Sequence, residues 1–361
     1  NKPTITVLPG ELSEVVDQGE QALINSGLGY YQVSGRIVRA GEMSTKTATG
    51  ESGGRLRIVT VCHAEMVEAL TKAAKWLKPS KTGPVTTDCP AYIAETLIAR
   101  TGLLRLPPLT GIIDVPTLRC DGSMLWHEGY DSITGLLLVP GETTVPKLPQ
   151  APTRDDAIAS LSVLHKLIAG FPFVTDADKS VALSALLTST IRTALRNAPA
   201  HGFTAPTAGS GKSTLVDLAS VLRTGRPAAP IAQGRNNEEL EKRLGALLME
   251  GEGLIAIDNC ETALGGDVLC QLLTQQNIKV RVLGHSTMVE VPTTALVTAT
   301  GNNLSFLGDM SRRALLCQLD PGVERPELRQ FAFDPVKVAK ERRADFLAAA
   351  LTILRAYHAA G

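Results

Sequence analysis

Apolar residues change their spacing several times along this chain, and the changes mark out its parts. Over residues 12–25 and 63–77 they recur every three to four positions, the period that sets one face of a helix against a core. Alternation and short apolar runs at 30–33, 57–61 and 135–139 predict strands. Residues 1–139 therefore read as an α+β domain. The next stretch carries Pro140, Pro146, Pro149 and Pro152 and little periodic apolar pattern, so 140–155 reads as a linker.

Beyond it the pattern is longer and more regular. Helical spacing over 156–168 and 175–196 leads to residues 201–205, with Thr175-Asp-Ala-Asp178 as a helix start and Pro199 as a stop. A helix from Lys212 to about Arg223 follows, with Gly225 as its C′ residue, then a short strand near 229–232 and an amphipathic helix carrying Leu240, Leu244, Leu247 and Leu248. An apolar strand over 254–257 ends in Asp258, and a helix follows near 268–275. Residues 278–291 alternate on both sides of Gly284, as a β-hairpin does, and precede apolar strands at 295–300 and 314–317. Strands alternating with helices predict a parallel sheet wrapped by helices. The fold expected is an α/β core over 156–320, including its leading helices, with a helical extension over 321–361.

Composition narrows the setting. No apolar run approaches the ~20 residues that span a bilayer and no signal-type segment opens the chain, so a soluble, cytoplasmic protein without membrane partners is expected. Its start at Asn1 is compatible with a further domain upstream. Six cysteines (62, 89, 120, 260, 270, 317) contain no C-x-x-C pair, which fits reduced, buried thiols. With 36 basic and 36 acidic residues the global field attracts no polyanion, so any nucleic acid must be held by a local patch. Residues 1–150 hold 14 basic and 15 acidic side chains, yet Lys72, Lys75, Lys78 and Lys81 gather around Trp76 at a predicted helix end. Those cations either complement the helix dipole or follow a DNA backbone.

The chemistry-bearing residues lie in the second half. Pro206-Thr-Ala-Gly-Ser-Gly-Lys-Ser213 has the spacing of a P-loop, with Pro206 where the first glycine normally stands. Thr207, Ala208, Gly209, Ser210, Gly211, Lys212, Ser213 and Thr214 are the expected nucleotide contacts, Lys212 bridging the β- and γ-phosphates of ATP and Ser213 holding Mg²⁺. Asp258, at the carboxyl end of a buried strand, is the second expected metal contact. Asn259 follows it, and an amide can position a water but cannot take its proton; either positioning suffices or a nearby acid such as Glu261 contributes. In Gly301-Asn302-Asn303 one asparagine senses the γ-phosphate, Asn303 being favoured, unless both are turn residues. On the hairpin, Lys279, Arg281 and His285 either follow a phosphate backbone or form a solvated face. Arg312 and Arg313, far along the chain from the P-loop, suit a neighbouring subunit's phosphate; one would be a finger and the other a salt-bridge partner, with the assignment open.

Taken together, the P-loop, the Ile257-Asp-Asn259 strand end, the Arg281-Val-Leu-Gly-His285 hairpin, the Ala299-Thr-Gly-Asn-Asn303 strand end and Gly308-Asp-Met-Ser-Arg-Arg313 resemble the helicase half of primase–helicase proteins of phages and integrated elements. These are AAA+ ATPases near superfamily 3. The resemblance covers about 156–357 and is most specific over 204–320, while residues 106–111 and 116–131 resemble the region preceding the ATPase. It implies an AAA+ P-loop core with a hairpin before the sensor strand. It also implies a homohexamer that threads a single DNA strand through its central pore by hairpins coupled to ATP hydrolysis, with a primase unit upstream or in trans. Arg342 and Arg343 read as a solvated helix face rather than a lid arginine. Asn259 keeps open a nucleotide-switched DNA-binding loader with slow hydrolysis. The hairpin and Arg312-Arg313 argue against a small-molecule P-loop kinase.

Overall fold

The computed structural model describes residues 2–46, 52–234, 236–282, 287–323, 325–326 and 332–361. The chain forms two compact units that divide between Ile112 and Ile113. The first contains β1 (Thr4–Thr6), α1 (Leu12–Asn25), β2 (Tyr30–Val33), β3 (Arg36–Lys46), β4 (Ser52–Thr60), α2 (His63–Ala73), β5 (Lys75–Lys78), β6 (Val85–Thr87) and α3 (Ala91–Ala99). Strands β2, β3 and β4 form an antiparallel meander, while β5 pairs parallel with β1 and antiparallel with β6. The faces of α1, α2 and α3 close over Val16, Met66, Leu70, Trp76, Ile93 and Leu97.

The expected helix over 63–77 ends at Ala73, because the following residues are needed as β5, the partner of β1. Trp76 is consequently 1% exposed and donates its indole N–H to the Leu70 carbonyl at 2.8 Å. Its ring packs so close to Gly19 that a β-carbon there would lie 3.3 Å away. No aromatic is therefore displayed among the lysines at this site, and Lys72 is paired with Glu68.

The second unit begins in β7 (Gly111–Ile113) and continues through β8 (Thr117–Leu118), β9 (Met124–Leu125), β10 (Gly129–Asp131) and β11 (Leu136–Leu138). Then come α4 (Arg154–Ile168), α5 (Asp176–Ile191), β12 (Ala200–Ala205), α6 (Lys212–Thr224), β13 (Ile231–Ala232), α7 (Asn237–Met249), β14 (Leu254–Asp258) and α8 (Asp267–Thr274). The chain finishes with β15 (Asn277–Arg281), β16 (Met288–Pro292), β17 (Leu296–Asn302), β18 (Ala314–Gln318), α9 (Pro335–Glu341) and α10 (Arg343–Ala360).

The unit boundary precedes the expected one at 139 because residues 113–149 are built into this second core. Val115, Leu118 and Val145 are buried with Phe203, Leu215 and Leu351, so of the expected 140–155 linker the proline-rich 140–153 part is an extended strap, not a free tether, and residues 154–155 open α4. Asp114 forms a bidentate pair with Arg343 (2.5 and 3.0 Å), whose guanidinium also donates to the Leu222 carbonyl. Arg343 is 4% exposed, which corrects the reading of a solvated helix face; Arg342 is exposed and pairs with Asp345.

At the centre stands a five-stranded sheet, order β13-β14-β17-β12-β18, with every pairing parallel. All six residues of β12 are buried, as a strand covered on both faces requires. The predicted caps are present: Thr175 and Asp178 form a capping box on α5, and Gly225, at φ 75°, closes α6 with its N–H on the Val221 carbonyl. Asp178 also accepts from the Gln318 N–H of β18. Strands β15 and β16 form a separate antiparallel pair whose Ile278, Val280, Val289 and Val291 are buried with Leu240, Leu244 and Leu272. Gly245 permits the close approach of Val280, 3.3 Å from where a β-carbon would stand. Beneath the pair, buried Arg192 donates to the carbonyls of Thr293, Ala295 and Leu195. Among the described residues, no helix is long and apolar enough to cross a membrane.

Two stability predictions follow from the buried polar groups. Asp114→Ala leaves Arg343 as an unpaired buried charge and should cost about 3–5 kcal/mol, most of it recovered when Arg343→Met is added; urea denaturation of the full chain checks both. His201 on β12 is fully buried with Nε2 on the Ser184 hydroxyl at 3.1 Å and Nδ1 without a partner, and burial holds its imidazole down at about 4. It folds neutral, so stability is intact above the ordinary value of about 6.5 and falls as pH drops from there toward about 4. The loss reaches about 3 kcal/mol at about 1.4 kcal/mol per unit. His201→Gln should flatten that slope in urea midpoints compared at pH 7 and 4.5.

Candidate functional site

Where β12 ends, the chain turns through residues 206–211 into α6. Gly209 (φ 73°) and Gly211 (φ 96°) adopt left-handed backbone, and Gly211 is the N-cap of α6. The unpaired N–H groups of the first turn therefore open toward the loop, a ready anion site. The loop carries internal ties: Ser210 Oγ donates to the Thr207 carbonyl at 2.7 Å, and Lys212 Nζ donates to the same oxygen at 2.8 Å. The ring of Phe171 lies 3.0 Å from where a β-carbon on Gly211 would be, so glycine is required there on two counts.

Lys212 also donates to the Asn302 side-chain oxygen at 2.8 Å. Burial draws its ammonium below the ordinary lysine value, while the Asp258 carboxylate acts in the opposite direction. A cation held in partly desolvated surroundings favours an anionic ligand. Asp258, half-buried at the end of β14, receives the Ser213 hydroxyl on Oδ1 at 3.4 Å and the Thr300 hydroxyl on the same oxygen. Strand β17 lies between β12 and β14, so it delivers Thr300 and Asn302 into the gap between the P-loop and Asp258.

The favoured sensor Asn303 is not the residue that meets Lys212. Asn302 is the last residue of β17, whereas Asn303 bends away at φ 55° with its N–H on the Ala205 carbonyl at 3.2 Å. Asn259 is likewise left-handed, φ 51°, with its N–H on Thr300 Oγ1 at 3.2 Å and an exposed carboxamide. Glu261 is exposed, and no hydrogen bond or ion pair is described for it. The signal in the sequence for Thr300 is the recurrence of Thr298, Thr300 and Asn302 at the two-residue period of a strand, which puts them on one face.

An ion at Ser213 and Asp258 would meet a hydroxyl and a carboxylate, hard oxygen donors on adjacent elements. That fits magnesium, which takes one or two protein oxygens and fills its octahedron with phosphate oxygens and water. Among the described residues no cluster of three or more His, Cys, Asp or Glu exists to hold a metal without such a ligand.

Arg313 lies at the other end of the sheet. Arg313 O accepts from Ala200 N at 3.0 Å, at the amino end of β12, whereas the P-loop leaves from Ala205. Five steps of about 3.3 Å put ~17 Å of strand between them. The Arg313 side chain is 28% exposed and bound to Asp309; that of Arg312 is 84% exposed, 3.8 Å from the same carboxylate. On the hairpin, Lys279 and Arg281 are exposed, Lys279 directly opposite Glu290. His285 lies outside the described residues.

A parallel five-stranded sheet flanked by helices, with a glycine-bearing loop between its first strand and first helix and a carboxylate ending its third strand, is a P-loop NTPase-like α/β fold. No family model matches the chain, and no curated protein matches it. Among solved structures it is similar to the apo NrS-1 C-terminal region (305-718), at 12% identity over 91% of this chain and 67% of that one, TM-score 0.46. An A-form apo structure of the same region matches at 14% identity, over 76% of this chain and 62% of that one, TM-score 0.40. JCV helicase matches at 14% identity over 55% and 52%, TM-score 0.27.

Left-handed backbone at position 259 makes a specific demand. Asn259→Gly should leave stability within about 0.5 kcal/mol of the parent, whereas Asn259→Ala or Asn259→Glu should lose about 1 kcal/mol or more, since side chains other than Asn and Asp are penalised in left-handed backbone. Urea midpoints of the three variants check this.

Proposed function

We propose that this chain is the ATPase subunit of a hexameric AAA+ ring that moves or unwinds DNA in replication of a phage or mobile element, with a primase unit upstream or in trans. The observation that carries the reading is the meeting of Lys212, Ser213, Asp258 and Asn302 at one edge of the sheet. In this reading residues 207–214 cradle the phosphates of ATP, Lys212 neutralises the β- and γ-phosphates, and Ser213 with Asp258 holds Mg²⁺. The ion, when bound, offsets charge on the transferring phosphoryl group. Asn302, rather than Asn303, contacts the γ-phosphate, and the exposed Asn259 amide orients the attacking water.

The sheet order, second-third-fourth-first-fifth strand, and the hairpin ahead of the fourth support the AAA+ assignment. Arg312, 84% exposed, is the finger offered to the next subunit and Arg313, held by Asp309, its anchored companion; the start of β18 beside the amino end of β12, away from the P-loop, supports a role in another copy's site. Lys279 and Arg281 follow the DNA backbone in the pore, together with His285. One observation favours a second reading. An amide in place of a carboxylate at 259 suits a slow, nucleotide-switched loader.

Turnover separates the two. A motor hydrolyses ATP in steady state and is stimulated by single-stranded DNA; a switch binds ATP tightly with negligible turnover in either condition. Lys212→Ala should abolish hydrolysis, and unchanged activity would refute the site. Arg312→Ala should reduce turnover by about 10³-fold, and mixing it with Lys212→Ala subunits should restore part of the activity. A particle that stays monomeric with ATP analogue and DNA would overturn the ring.

A further inference from the structure

Thr300 is a side chain that no expected role accounts for, and it stands at the junction of the metal and water positions. It is 3% exposed on β17, with three bonds that tie it to the end of β14. Its hydroxyl donates to Asp258 Oδ1, the same hydroxyl accepts the Asn259 N–H at 3.2 Å, and its carbonyl accepts the Cys260 N–H at 2.8 Å. The direction of the first bond follows from the second. A backbone N–H can only donate, so the threonine proton is left for the carboxylate, which can only accept while ionised.

We propose that Thr300 is a positioning residue for the nucleotide site: it orients the Asp258 carboxylate toward the metal and holds the Asn259 turn in its left-handed conformation. This rests on the ATP–Mg²⁺ reading above. With Oδ1 tethered by Thr300 and by Ser213, Oδ2 is the oxygen left to face an ion, and among the described residues no hydrogen bond to it exists. The β-branched side chain strengthens the device, because Thr has few χ1 choices on a strand and its hydroxyl cannot easily swing away. One hydroxyl thus sets two elements of the site in register, the carboxylate through its proton and the following turn through its lone pair.

The role separates from simple core packing by what it should affect. Groups that orient a ligand from behind are typically worth about 10–100-fold in metal affinity. Thr300→Val keeps the shape and removes the hydroxyl, whereas Thr300→Ser keeps the hydroxyl. The measurements are Mn²⁺ affinity of the nucleotide-bound full chain by electron paramagnetic resonance, the Mg²⁺ concentration for half-maximal ATPase, and ATP binding in EDTA. The valine variant should weaken Mn²⁺ and raise the Mg²⁺ requirement by about tenfold or more, with metal-free ATP binding unchanged and the serine variant near the parent. Should the valine variant not fold, Thr300→Ala carries the same expectation. Unchanged metal affinity in the valine or alanine variant would overturn the proposal, as would an equal loss of metal-free ATP binding or a serine variant as impaired as valine. A parent chain that binds no nucleotide with Mg²⁺ would instead overturn the site reading, and the proposal with it.

Discussion

The candidate site in the second unit depends on the parallel hydrogen-bonding of β12 between β17 and β18. Parallel strands point one way, so their ends cannot mix. The carboxyl edge gathers Ala205 and its loop, Asp258 and Asn302; the amino edge gathers Arg313 and the base of the hairpin. Crossover helices then cover both faces, which is why β12 is buried at every residue and why its one imidazole stays neutral. The separation of the two edges is a property of strand length. It cannot be relaxed by side-chain movement.

Much of this was legible because it lies in periodicity and caps. The helix over 12–25, the capping box of Thr175 with Asp178, the Gly225 closure and the alternation of the two hairpin strands all follow from local spacing, and each agrees with what the backbone does. What escaped depends on contacts between distant residues. The spacing at 63–77 suits a helix, but β1 needed a partner and took Lys75–Lys78. Arg343 carries the same local signal as its neighbour Arg342; Asp114, 229 positions away, and the Leu222 carbonyl distinguish them. Adjacent asparagines posed a similar problem, since strand pairing through Asn302 decides which one faces Lys212.

The second unit also buries cations beneath its working surface. Arg343 joins the early segment at Asp114 to the last helix, and Arg192 sits under the hairpin. Burial lowers Arg192 only to about 10, so it remains charged at neutral pH. Removing such charges from water is costly, and it is offset here by bidentate or multiple acceptors. The two differ in their partners: Arg343 is neutralised by the Asp114 carboxylate, whereas Arg192 is held by neutral carbonyls.

The three oxygens that Arg192 grips all belong to the main chain, at Thr293, Ala295 and Leu195. Main-chain acceptors are present whatever side chains the hairpin bears. The footing of β15 and β16 is thus independent of their outward-facing sequence, and the exposed positions at 279 and 281 can be exchanged without moving the platform that carries them. Variation in what the hairpin touches is separated from variation in where it stands.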